Sequence, residues 1–290
     1  MTKALVLGAG GPVGIGWESG LIAGLAEKGV EMSLADHIVG TSAGSYVGAQ
    51  LAMGRSPAEI AAHDLSDSPP APLIRGPVPD LSSLMGKVLD AAAGKRPAQE
   101  VRAEIGAFAL QAATMAEEEF IARFAPSLGG RPDGAWPGKS FVCTAVDVSD
   151  GAFRVWNREA GIGLARAVAS SCAVPGIFPP VTFGGTRYID GGVKSGTNAD
   201  LAKGYDTVIV VSAMSRTMPP FVREIFGRRF TKELDAVRES GGRVEVIEPD
   251  DGSAEAFGAN MMDDRRRHPA AVAGLEQGRR EAARLAEFWR

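Results

Sequence analysis

The chain has 290 residues, 45% of them hydrophobic, with 31 Lys+Arg against 35 Asp+Glu and a formal net charge of −4. A chain of this size buries a full core without disulfides or metal, and a mildly acidic balance lacks the basic stripe that phosphate backbones require, which excludes a nucleic-acid binder. Two cysteines, Cys143 and Cys172, make neither a disulfide framework nor a metal ligand set, and three histidines (His37, His63, His268) are too few and too scattered for a His-rich metal centre.

After Met1-Thr2-Lys3 the apolar run Ala4–Leu7 is too short for a secretory h-region, which needs roughly 7–15 residues. No stretch approaches the ~20 apolar residues of a membrane span. The expectation is a cytoplasmic protein with reduced cysteines.

In chain order, Lys3–Leu7 predicts a short strand running into the loop Gly8-Ala9-Gly10-Gly11-Pro12-Val13-Gly14. Trp17, Leu21 and Leu25 recur at helical spacing and predict a helix over about 16–28, stopped by Gly29. His37–Val39 reads as a second strand, followed by Gly40-Thr41-Ser42-Ala43-Gly44 and a helix to about Met53. Ser56-Pro57-Ala58-Glu59 carries the signature of a capped helix start.

Ser68–Pro79 is Pro-rich and breaks the pattern ahead of Ala- and Glu-rich helices at about Leu81–Ala93 and Ala98–Phe124. Gly129–Gly138 is a second breaker. Phe141–Val148 and Phe153–Trp156 flank Ser149-Asp150-Gly151 as a hairpin. A short helix at Leu164–Ala169 precedes a strand, Arg187–Ile189, that ends at Asp190-Gly191-Gly192. Thr207–Ser212 reads as a buried strand, about Phe221–Ser240 as a helix, Val244–Ile247 as a strand, and the tail from Pro269 as a charge-dense helix. This alternation predicts an α/β sheet sandwiched by helices. The expected organisation is one domain over 1–290, with a core at about 4–213, a helical cap insertion at about 65–137 and a C-terminal helical part at about 214–290. Leu84, Val88, Leu89, Phe108 and Leu110 fit either helix packing in that cap or the lining of an acyl channel.

Three segments carry chemistry. Gly40-Thr41-Ser42-Ala43-Gly44 fits G-x-S-x-G between a strand and a helix, where a sharp turn presents the serine and small neighbours leave room for attack. The helix start beside Ser42 favours developing negative charge; the same pentapeptide also reads as an ordinary N-cap turn. The first glycine loop follows a strand and precedes a helix, so its N–H groups suit a phosphate or an oxyanion. The dinucleotide fingerprint fails, because Gly8 and Gly10 are followed by Val13 where a third glycine belongs. The spacing Gly10, Gly14, Gly16 matches short-chain dehydrogenases, but the fourth residue after Tyr46, Tyr188 and Tyr205 is Gln50, Gly192 and Ile209, never the required Lys. Asp190-Gly191-Gly192 is a turn signal, yet a carboxylate at a strand end faces the ligand side of an α/β sheet.

In this order the three segments resemble the patatin-like phospholipase family. Ala169-Ser170-Ser171-Cys172-Ala173-Val174-Pro175-Gly176-Ile177-Phe178-Pro179-Pro180-Val181 resembles that family's Ala-Ser segment. The resemblance covers about 4–213. It implies a three-layer α/β/α fold with a mostly parallel central sheet and a helical cap. It also implies a serine acyl hydrolase that uses a Ser–Asp dyad: Ser42 the nucleophile, Asp190 the general base, Gly10 and Gly11 the oxyanion hole, and Gly8, Gly14, Gly40, Gly44, Gly191 and Gly192 in support. The implied substrate is a phospholipid, lysophospholipid, acylglycerol or acyl thioester, cleaved without metal or cofactor. Access would be peripheral, at the inner membrane face. Many members carry Arg or Lys just before the last glycine of the loop, where this chain has Val13.

Three rivals stand beside this reading. A Ser-Asp-His triad matches the chain order Ser42, Asp190, His268, although Asp263-Asp264-Arg265-Arg266-Arg267-His268 reads as a solvated surface. An NAD(P)-dependent oxidoreductase would use the glycine loop, and a non-catalytic binding protein would keep only the fold. Cys143 and Cys172 read as small packing residues.

Overall fold

The computed structural model describes residues 1–66, 82–130, 134–213 and 220–290. The expected Pro-rich breaker Ser68–Pro79 and the start of the helix expected from Leu81 lie outside the described residues, as do positions 131–133 of the second breaker. The strands are β1 (Lys3–Leu7), β2 (His37–Gly40), β3 (Ser140–Asp147), β4 (Phe153–Trp156), β5 (Val181–Phe183), β6 (Thr186–Asp190), β7 (Thr207–Val211) and β8 (Arg243–Ile247). The helices are α1 (Gly11–Glu27), α2 (Ala43–Ala52), α3 (Pro57–Ala62), α4 (Ser82–Ala92), α5 (Ala98–Gln111), α6 (Glu117–Ala122), α7 (Leu164–Ser171), α8 (Pro220–Glu239), α9 (Asp251–Phe257) and α10 (Arg267–Phe288).

The strands form one sheet in the order β5-β6-β3-β2-β1-β7-β8, with β4 also on β3. β3, β2, β1, β7 and β8 run parallel; β4 and β6 are antiparallel to β3, and β5 to β6. β1 and β7 are apolar nearly throughout because helices cover both faces. Successive side chains alternate between them. Leu5, Leu7, Ile209 and Val211 join the large cluster containing Trp17, Leu21 and Val47. Ala4, Val6, Val208 and Val210 join Leu234 and Val237 of α8 on the other side. This is the three-layer architecture with a mostly parallel sheet.

The loop and helix boundaries differ from expectation in instructive ways. α1 starts at Gly11 rather than near Gly16, because Pro12 sits in the first turn, where a missing N–H costs nothing. The capping box at Ser56 forms as expected. The long helix expected over Ala98–Phe124 is broken into α5 and α6. The Glu117 carboxylate there accepts from the Thr182 N–H and hydroxyl and pairs with Arg166, so tertiary anchoring overrides local propensity. β5 and α9 were not expected; β5 is only three residues long. α5 buries Val101, Ile105 and Ala109 against Val146, Val148 and Ile189, with Val88 beside them, which turns Phe108 and Leu110 outward. The Leu84 side chain lies outside the described residues.

α10 crosses α1 closely. Gly16, Gly20 and Gly24 face the backbone of Arg267, Ala271 and Leu275, and Gly274 and Gly278 answer from α10, so no side chain fits between the helices. The basic stretch that leads into α10 is not all surface. Arg265 is exposed and pairs with Asp263, whereas Arg267 is buried against Asp64 with Nε–Oδ1 2.6 Å. Among the described residues no helix is long and apolar enough to cross a membrane.

Candidate active site

The site grows from the carboxyl edge of the parallel strands. Leu7 of β1 pairs with Gly40 of β2, which sets the glycine loop beside the serine turn. Thr41 N–H donates to the Leu7 carbonyl at 3.0 Å and Gly44 N–H to the Gly8 carbonyl at 2.9 Å, locking the two turns together. Gly40 and Gly44 stand against the backbones of Ser45 and Leu7, and Gly14 packs on Ala43. Gly8 N–H meets the Val211 carbonyl at 3.0 Å.

Ser42 has φ 53° and ψ −118°, a strained conformation for a residue with a side chain. Its surroundings over-determine that strain. Its N–H donates to Ser171 Oγ at 3.0 Å; its carbonyl accepts from Ser45 Oγ at 2.7 Å and from Cys172 Sγ at 3.2 Å. Both partners from the Ala-Ser segment come from the C-terminal end of α7.

Asp190 arrives from the opposite direction. β6 is antiparallel to β3, with Asp190 opposite Ala145, two positions past Cys143, the partner of Gly40. The carboxylate therefore reaches the serine without belonging to a parallel strand. Gly192 N–H donates to Asp190 Oδ1 at 2.7 Å, and Asp190 N–H to the Ala173 carbonyl at 3.0 Å. Gly191 packs on Thr144. The Ser42 side chain lies beside the Asp190 carboxyl, close enough to favour its ionised form. Both residues are 4% exposed. Burial pushes the Asp190 carboxyl up to about 7, opposed by the nearby Ser42 side chain and the Gly192 N–H. A carboxylate so placed can accept a proton near neutrality.

Gly10 caps α1 and Gly11 opens it with φ +58°. Among the described residues no hydrogen bond is made to the N–H of Gly10, Gly11 or Ala43. These donors lie at the starts of α1 and α2, where the helix dipole favours negative charge. Val13 is fully buried in the main cluster, so the neutral residue in the cation's place is a core residue here. Its N–H donates to the Met261 carbonyl at 3.3 Å, and Met262 Sδ lies against Gly11.

The remaining sequence candidates lie elsewhere. His268 Nδ1 meets the Asp64 carbonyl at 2.9 Å and makes no contact with Ser42 or Asp190 among the described residues. His37 is buried, bonded to Ser140 Oγ and stacked on Tyr205. Both cysteines are buried and free, and burial raises their thiols, so neither is a ready thiolate. Cys172 does more than pack, since it holds the Ser42 carbonyl. Among the described residues no group of three or more His, Cys, Asp or Glu is placed to hold a metal ion. A cleft of about 600 Å³ lined by Trp136, Arg158, Arg166 and Phe183 opens at the N-terminal end of α7, one helix length from Ser42.

Several neighbours escaped sequence reasoning. Ser171 and Cys172 lay inside the Ala-Ser segment, but nothing in their spacing pointed at Ser42. Met261 and Met262 are far along the chain and carry no motif. Glu18 gave no sign either: α1 buries it completely, and neither oxygen makes a well-formed hydrogen bond among the described residues. Burial drives its carboxyl well above the usual range, with the Gly8 N–H opposing.

A family model described as patatin-like phospholipase matches residues 5–203. No curated protein matches the chain. Two solved structures are similar at low identity. VipD from Legionella pneumophila is 14% identical with a TM-score of 0.47, over 98% of this chain and 67% of that one. The type III effector protein ExoU is 14% identical with a TM-score of 0.43, over 98% of this chain and 53% of that one.

Proposed function

Because the chain belongs to the patatin-like phospholipase family, we propose that it hydrolyses lipid esters at Ser42 with Asp190 as general base. The observation that carries this reading is the placement of a buried, strained Ser42 beside a buried carboxyl held near neutrality. Serine's hydroxyl is a poor nucleophile until a neighbour takes its proton. Asp190 accepts that proton as Ser42 Oγ attacks the ester carbonyl. The N–H groups of Gly10 and Gly11 stabilise the resulting oxyanion; losing one such donor typically costs roughly 10²–10³ in rate. Collapse releases the alcohol, which takes the proton from Asp190, and leaves an acyl group on Ser42. Asp190 then deprotonates the water that frees the fatty acid.

The substrate in this reading is a phospholipid, lysophospholipid, acylglycerol or acyl thioester, met by peripheral contact with a membrane face in the cytoplasm. The insertion at about 65–137 serves as a cap, and the whole chain acts as one domain. With Val13 in the core, no cation from that position grips an anionic head group.

An active-site-directed fluorophosphonate tests the nucleophile. The expected result is labelling of the wild type and none of Ser42→Ala; equal labelling of both overturns the assignment. A panel of phospholipids, lysophospholipids, acylglycerols and acyl-CoAs assigns the substrate class. His268→Ala should retain activity, since its ring is engaged with Asp64; a loss near a thousand-fold would restore a triad.

A further inference from the structure

Two buried side chains flank the Ser42–Asp190 pair from below, and one amide joins them. Thr41 immediately precedes Ser42. Thr144 lies on β3 directly under Gly191, the residue after Asp190. Asn198 Nδ2 is 3.0 Å from Thr41 Oγ1, 3.4 Å from Thr144 Oγ1 and 2.9 Å from the Ser195 carbonyl. The two hydroxyls are 3.1 Å apart, and Thr41 Oγ1 donates to the Thr197 carbonyl at 3.4 Å. Thr41, Thr144 and Asn198 are all fully buried.

The donors and acceptors assign one direction to each bond, with the two amide hydrogens of Asn198 shared among three acceptors and its Oδ1 without a hydrogen bond among the described residues. An amide nitrogen carries two hydrogens and accepts none, so Asn198 must donate. Thr41 Oγ1 then accepts from Asn198 and from Thr144 and passes its own proton to Thr197. Among the described residues Asn198 is one of two non-glycine residues with positive φ, at φ 52° and ψ 38°; the other is Ser42. Asn tolerates that left-handed well better than most residues. The loop carrying it is braced in turn: Glu233 Oε2 accepts from Thr197 Oγ1 at 2.7 Å and from Ala199 N–H at 3.0 Å.

We infer that Asn198 is a positioning residue for the hydrolysis, tying the turn that carries Ser42 to the strand that seats the Asp190 loop. It touches neither reacting atom; it fixes the distance between two segments that approach from different strands. In a buried network, partial satisfaction is costly, so removing the amide loosens both sides at once. The inference rests on the Ser42–Asp190 reading above.

The test is steady-state hydrolysis of a p-nitrophenyl ester by the full chain. Asn198→Gly keeps the backbone conformation and removes the donor. Thr41→Val removes the hydroxyl at constant shape, and Thr41→Ser retains it. Asn198→Gly and Thr41→Val should each lower kcat roughly ten- to a hundred-fold, with KM within about twofold of wild type. Thr41→Ser should keep most of kcat. The double variant should lose little more than either single, because both break one network. Unchanged kcat in Asn198→Gly, or fully additive losses in the double variant, overturns the inference. If Asn198→Gly fails to fold, the contrast between Thr41→Val and Thr41→Ser decides alone: equal kcat in the two overturns it. A wild type whose hydrolysis survives Ser42→Ala would instead sink the underlying reading.

Discussion

Ser42 and the carboxyl of Asp190 lie side by side in a buried site, and burial holds that carboxyl up to about 7. Only the ionised form can take the serine's proton. Activity should therefore rise with pH along a single acidic limb with its midpoint near 7. A kcat/KM profile on the free enzyme checks this. A limb centred near the ordinary aspartate value would mean that Asp190 is solvated when it works, or is not the base.

The same shift has a consequence for stability. The native state holds the Asp190 proton between about 3.8, its ordinary value, and about 7, while the unfolded chain has lost it. Native protein binds more protons across that window, so stability falls as pH rises through it and levels off above. The full difference is roughly 4 kcal/mol for a shift of this size. Asp190→Asn should remove that dependence and be the more stable protein at pH 8, while hydrolysing no ester. Urea unfolding of both proteins at pH 4 and pH 8 measures it. A variant that loses stability at pH 8 contradicts a carboxylate whose burial outweighs its hydrogen bonding.

Much of this site was legible because its parts are local. The turn around Ser42, the glycine loop and Asp190-Gly191-Gly192 each occupy a handful of consecutive residues with demanding backbone geometry, and such demands leave Gly and Ser at readable spacings. β1 and β7 were legible for the same reason, as continuous apolar runs covered on both faces. What stayed hidden depends on distant pairing. Nothing local says that β6 enters antiparallel, that Glu117 reaches Thr182 and breaks a helix, or that Cys172 holds the Ser42 carbonyl. The charged run at Asp263–Arg267 shows the limit most clearly: composition placed it in water, while tertiary pairing buried Arg267.

Gly11 has φ +58°, and a Cβ there would come within 2.7 Å of both the Met261 carbonyl and Met262 Sδ. The thioether can swing away; the carbonyl is held by the Val13 N–H. Gly11→Ala should thus cost at least about 1–2 kcal/mol from the left-handed backbone alone. Adding Met262→Ala should not restore it, because the carbonyl remains. Thermal melting of the single and double variants is the check; recovery in the double would show that only the side chain was in the way.

Glu18 is fully buried with no well-formed hydrogen bond among the described residues, and it favours its neutral form. An unsatisfied buried polar group costs about 1–3 kcal/mol. Glu18→Met, of similar length and without polar oxygens, should leave stability unchanged or raise it by that order. Chemical denaturation measures this. A loss of several kcal/mol would mean that the carboxyl has a partner that matters to the fold.

Arg267 and Asp64 form the most deeply buried ion pair described, at 2.6 Å with side chains 8% and 2% exposed. The pair joins α10, beyond the residues matched to the family, to the end of α3 within them. The Arg267 backbone also lies over Gly16 of α1, so the charge sits within the close helix crossing. Removing one partner leaves the other charged and desolvated, which typically costs about 3–5 kcal/mol; an apolar replacement of both is often neutral. Arg267→Met should accordingly be strongly destabilising in urea, and Asp64→Leu added to it should recover most of the loss. If the double variant is as unstable as the single, the ion pair contributes more than its burial costs, and the C-terminal helix is held by charge rather than by its packing on α1.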